Sequence, residues 1–268
     1  MKVRTSVCNV SMLVGCMLLA GGCFLSGRIR GDGELVTKEI AISDYEAIRS
    51  QGGVMEVDYR QSDDTPGLTV TVDRNIFEMY DFHVHDGELR IEPKEKHKRE
   101  RFVPTRFTVV TNSTGLRRVN ASGKTQYTVS SPLRTDELKF NLAGSAKVDL
   151  KDSVMLRKLS IDIAGSGTLN ALYLAGETFD GHIAGSGKMN LGGQVARTSF
   201  EIAGSGTVHA FELQTENTKC GIAGSGNIEI SANNSLHVDV AGSGNVRYRG
   251  NPQLKTDIAG SGSIRKAD

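Results

Sequence analysis

Ile161-Asp162-Ile163-Ala164-Gly165-Ser166-Gly167-Thr168-Leu169 is the stretch that decides the fold, because the chain writes it repeatedly. Ala-Gly-Ser recurs at Ala143, Ala164, Ala184, Ala203, Ala223, Ala241 and Ala259, with spacings of 21, 20, 19, 20, 18 and 18 residues. All but the first continue into a second Gly; there Ala146 stands instead. A period this regular describes one small unit stacked many times.

Apolar residues hold fixed offsets from each anchor. One residue before it lie Leu142, Ile163, Ile183, Ile202, Ile222, Val240 and Ile258, and five after it lie Val148, Leu169, Met189, Val208, Ile228, Val246 and Ile264. The residue two before the anchor is polar or small. Alternation with period two, rich in β-branched side chains, reads as strand with one face buried. Helix is excluded by the density of Gly and by the lack of a 3.6-residue stripe. A flexible Gly-Ser linker would not keep apolar residues at fixed offsets. The fold class expected is all-β, a parallel β-helix (solenoid) with coils of roughly 18–22 residues. Strands of about five residues end at Gly corners. Successive coils sit ~4.8 Å apart, and equivalent residues form ladders, apolar inside and Ser at the corner, whose hydroxyls are expected to hydrogen-bond along the stack.

The front of the chain differs. Lys2 and Arg4 precede an apolar run from Val10 to Ala20, which reads as a secretion signal over residues 1–22. Ala20-Gly21-Gly22-Cys23 is similar to the lipobox of bacterial lipoproteins, making Cys23 the lipidated residue; Leu13-Val14-Gly15-Cys16 is a second match and keeps Cys16 open. The apolar run is too short to span a bilayer. Residues 23–33 form a tether, and residues 34–266 the β-helix, with irregular opening coils over 34–115 and regular repeats over 116–266. Val119-Asn120-Ala121-Ser122-Gly123 is a degenerate first corner, Asp86-Gly87 a hairpin turn, and Lys94 to Arg101 an exposed charge run. No helix is expected after the signal. Cys220 falls in an apolar column and reads as a packing residue.

With 32 Lys and Arg against 31 Asp and Glu, the net charge is +1, so no nucleic-acid partner is expected.

Lys38-Glu39-Ile40 through Tyr45-Glu46-Ala47-Ile48, Val70 to Asn75, Asp86-Gly87-Glu88-Leu89-Arg90-Ile91 and the Ala-Gly-Ser-Gly repeats together resemble the head GIN domain family, described as putative auto-transporter adhesin. That resemblance implies a right-handed β-helix in a lipoprotein of the Bacteroidetes type. Its name implies adhesion, but it brings no catalytic or ligand residues with it. Surface-exported lipoproteins of this group carry acidic residues just after the lipidated Cys, and Phe24 to Arg30 has none.

Chemistry is sparse. The polar positions Asp162, His182, Glu201, Asp239 and Asp257 are the candidate ligand face, for glycan or surface protein. A second row follows the corner: Asp149, Asn170, Asn190, His209, Glu229, Arg247 and Arg265. His83 and His85 share one side of a strand, but no third ligand is set by sequence, so no metal site is expected. No base accompanies the corner serines, and neither a phosphate loop nor a dinucleotide fingerprint is present. Asp152-Ser153-Val154 resembles an O-glycosylation site at Ser153. The expectation is a non-enzymatic, lipid-anchored envelope protein without cofactor, acting as a binding or adhesion module. A periplasm-facing structural lipoprotein is the alternative, and a carbohydrate-active enzyme a lesser one. Its partners would be the membrane, through the lipid anchor, a glycan or surface protein, and a second copy through the solenoid end.

Overall fold

Six of the seven Ala-Gly-Ser corners are made by two glycines with different duties. The first has positive φ, 123° at Gly165 and 125° at Gly185, a region that side chains avoid. The second lies inside: a Cβ on Gly187 would stand 2.7 Å from Ile163 Cγ2. Glycine thus lets both the backbone turn and the coil below approach.

The computed structural model describes residues 27–267; the signal segment with Cys16 and Cys23 lies outside them. It is a β-solenoid of about 7 turns. The coils stack in parallel and nearly residue for residue. Lys139–Gly144 lies on Arg118–Gly123, Ala164 on Ala143, Ala184 on Ala164, and the register continues to Ala259 on Ala241. Strands are longer than five residues, as in Thr168–Gly185, because the ladder bonds run on through the bend. At the corner they are backbone bonds: Ser186 N–H donates to Gly165 O at 2.9 Å, and Lys188 N–H to Gly167 O at 2.9 Å. The corner serines contribute through this N–H and not through their hydroxyls, which face solvent. That corrects the expected hydroxyl ladder.

The interior is filled by stacked side chains. Phe140, Ile161, Phe200 and Cys220 share one column and are at most 2% exposed. Gly181 interrupts that column because the Phe179 ring occupies its space; a Cβ there would meet Phe179 Cε1 at 2.7 Å. Phe179 packs on Phe200 with centroids 5.4 Å apart. Burying each such side chain contributes about 1.5–3 kcal/mol. Of the hydroxyls that intrude, Thr198 pairs with Thr218 at 2.8 Å and Thr215 with Thr218 at 2.6 Å, whereas those of Ser50, Thr125 and Tyr127 are buried without a partner among the described residues.

The opening segment is less uniform than parallel coils. Ala47–Gln61 is a parallel layer beneath Arg118–Val129, with a register shift between Ser50 and Gly53. Leu35–Ala41, however, pairs antiparallel with Gly67–Asp73, which pairs antiparallel with Phe107–Ser113. Tyr80–His85 and Glu88–Pro93 form a hairpin whose turn, Asp86-Gly87, has φ of 51° and 69°. Two short helical turns, Arg74–Phe77 and the 3-10 turn Glu95–His97 inside the charge run, interrupt the expected all-strand pattern. These elements cover the first layer, where Ile48, Met55 and Val57 are at most 1% exposed. At the other end, Gln253–Gly260 is exposed along its whole length and Ser263–Lys266 follows it on Asn245–Tyr248; among the described residues no such cover lies over them.

Candidate functional site

The stacking register places Asp162, His182, Glu201, Gly221, Asp239 and Asp257 in one outward column, one residue per coil. Every residue of the candidate ligand face is therefore brought together, with neighbours ~4.8 Å apart. Three of its four carboxylates have a partner within reach. Lys139 Nζ lies 2.9 Å from Asp162, His182 Nδ1 3.3 Å from Glu201, and His237 Nε2 2.9 Å from Asp239. Among the described residues no three His, Cys, Asp or Glu side chains converge as a cation site would require.

The column is broken at Gly221. With no side chain there, a shallow depression of about 560 Å³ opens between Glu201 on one side and Asp239 and Asp257 on the other. Lys219 and His237 line it from the column two residues earlier in each strand, and Ala203, Ala223, Ala241 and Ala259 line it from the corner side. Opposite charges thus edge a small-residue floor, suited to hydroxyl-bearing or mixed-charge ligands held by hydrogen bonds. Sequence reasoning missed Lys219 and His237. Their signal was position: each lies two residues from a member of the polar column, hence on the same face of its strand.

The second row is a structural ladder. Asn170 Nδ2 donates to Asp149 at 2.5 Å and Asn190 Nδ2 to Asn170 at 2.6 Å, while His209 and Arg247 both reach Glu229, at 2.8 and 3.0 Å. His83 and His85 are exposed, and His85 pairs with Asp86. Asp152-Ser153-Val154 lies at a surface corner where Ser153 O accepts from Leu133 N–H.

An arginine-rich recess was not foreseen. Arg49, Arg90, Arg117, Arg118 and Arg157 line a second depression of about 560 Å³ together with Glu46, Asp136 and Glu137. Glu88 sits beneath it, taking Arg49 Nε at 2.9 Å, Arg90 Nε at 3.3 Å and Asn120 Nδ2 at 3.2 Å. Burial by itself would push the Glu88 carboxyl up, but the Arg49 hydrogen bond and charge, with Asn120 and Arg90, hold it below its ordinary value. Cys220 is buried and free, and burial pushes its thiol up.

The family model described as putative auto-transporter adhesin, head GIN domain, matches residues 44–252. The crystal structure of a putative lipid binding protein from Parabacteroides distasonis ATCC 8503 is similar at 36% identity and a TM-score of 0.86, covering 90% of this chain and 100% of that one. A putative adhesin from Parabacteroides merdae ATCC 43184 is similar at 31% identity and a TM-score of 0.82, covering 91% and 100%. A putative adhesin from Bacteroides fragilis NCTC 9343, at 19% identity and a TM-score of 0.66, shares the fold. Among curated proteins none matches.

Proposed function

We proceed from the family: the chain belongs to the putative auto-transporter adhesin, head GIN domain family, and we propose that it is a non-catalytic binding module of the cell envelope. In this reading a lipid on Cys23 holds it to the outer membrane, and the solenoid flank binds a glycan or a surface protein. The observation that carries the reading is the depression at Gly221, where the outward column opens between Glu201 and Asp239. The carboxylates of Asp162, Glu201 and Asp239 are already engaged by Lys139, His182 and His237, which favours binding over acid–base catalysis. Among the described residues no helix is long and apolar enough to cross a membrane.

The test pairs binding with location. Gly221→Gln fills the depression, and the backbone accepts a side chain there, because a Cβ would stand 3.8 Å from Glu201 Cγ. Glycan and matrix-protein arrays should show a ligand lost on this substitution while the melting curve is kept. Equal binding by both proteins would remove the Gly221 face from consideration. Protease shaving of intact cells should remove the domain. Survival until lysis would instead favour the periplasm-facing structural lipoprotein.

A further inference from the structure

The two ends of the solenoid are finished differently. The first layer is covered by the antiparallel strands, the hairpin and the Arg74–Phe77 turn. The last layer ends on Ser263–Lys266, and its longer strand is Gln253–Gly260; among the described residues that strand pairs on one side only, with Ser235–Gly242. Its inward side chains include Leu254 at 45% and Ile258 at 41% exposure, where the layer beneath has Leu236 at 1% and Val240 at 3%. Its remaining backbone N–H and C=O groups are free to pair with another strand. A charge pointing inward at Leu254, Thr256 or Ile258 would block such pairing, and none is present.

We propose that this edge pairs with the same edge of a second copy, antiparallel, about a twofold axis through Thr256. A twofold interface must be self-complementary, and this strand is. Centring on Thr256 sets Lys255 opposite Asp257 of the other copy, and Asp257 opposite Lys255. It also sets Leu254 opposite Ile258 twice, and Thr256 opposite itself. The outer face thus gains two opposite-charge pairs, the inner face two apolar pairs and a hydroxyl pair, each a favourable cross-strand match. A shift of one residue in the paired register would face charges with apolar groups. The N-terminal Arg28–Arg30 strand lies on Arg101–Val103 at the other end of the stack, so the dimer carries its N-terminal segments at opposite poles. The pairing rests on the fold alone; that it would bridge two surfaces rests on the anchored-adhesin reading.

Sedimentation equilibrium of the purified full chain should show a reversible species of twice 28.8 kDa. Lys255→Asp and Asp257→Lys each replace two attractive pairs by two repulsive ones and should raise the dimer Kd by about tenfold or more. The double swap Lys255→Asp/Asp257→Lys restores opposite charges and should restore the Kd. Hydrogen exchange should show the amides of residues 253–260 protected more as concentration rises. A monomer at all concentrations, concentration-independent protection by another segment of the same chain, or a dimer indifferent to both single swaps would overturn the proposal. None of these results depends on where the protein lies in the cell.

Discussion

A Cβ placed on Gly185 would stand 2.5 Å from the carbonyl oxygen of Gly165 in the coil below, and Gly185 itself adopts φ of 125°. Steric approach and backbone angle therefore forbid a side chain at the same position. At Gly221 neither constraint holds, since its nearest neighbour to a Cβ is Glu201 Cγ at 3.8 Å.

Gly185→Ala should cost about 2–4 kcal/mol, combining a strained conformation with overpacking. Gly221→Ala should be neutral or stabilising by up to about 1 kcal/mol, because it removes freedom from the unfolded chain only. Urea unfolding of the two variants side by side checks the contrast. Equal losses would mean that the corner is not the strained element.

Ile222 is 3% exposed inside the stack. Ile222→Asp should destabilise the regular coils by at least about 3 kcal/mol, since it removes apolar burial and inserts an unpaired charge. Loss of ordered strand signal by circular dichroism at a lower temperature is expected, and an unchanged melting curve would contradict the stacking described here.

Asn170 donates to Asp149 and accepts from Asn190. Asn170→Asp would set two carboxylates against each other across neighbouring coils. The loss, about 1–3 kcal/mol at pH 7, should shrink at acid pH, where one protonated carboxyl can donate again. Unfolding midpoints at both pH values decide this.

Glu88, held by Arg49 and Arg90, has its folded-state value below the reference of 4.5. Its contribution is therefore complete above 4.5 and is lost as pH falls through the lower, folded value. Glu88→Gln should cost about 1.5–3 kcal/mol at pH 7. The difference from the parent should narrow below 4.5 and vanish once the carboxyl is protonated in both states. A difference that persists unchanged in acid would mean that Glu88 acts by packing and not by charge.

Cys220, buried with its thiol pushed up, should resist thiol reagents in the native protein and react on unfolding. Mass spectrometry of peptides from native and urea-treated samples distinguishes the two states.

The repeating part of the fold was legible residue by residue. Ile163, Ile183, Ile202 and Ile222 share one inner column because the motif returns at nearly constant spacing, and a coil can only stack on its like in register. The same logic predicted that Asp162, His182, Glu201, Asp239 and Asp257 would share an outer column. The opening segment was not legible in this way. Val36 meets Val72 antiparallel, a pairing between two unrelated stretches that no local period announces. The convergence of Arg49, Arg90 and Asn120 on Glu88 arises only once that segment is folded onto the first coils.

The sequence by itself determined that this protein is a stack of β coils, which residues point in and which point out, because a short repeat carries its own geometry. Only the tertiary structure decided where the flank opens and which end stays bare. Those properties belong to neighbours far apart in the chain: a missing side chain at Gly221 matters through Glu201 and Asp239, and Leu254 is exposed because none of the described residues packs over it.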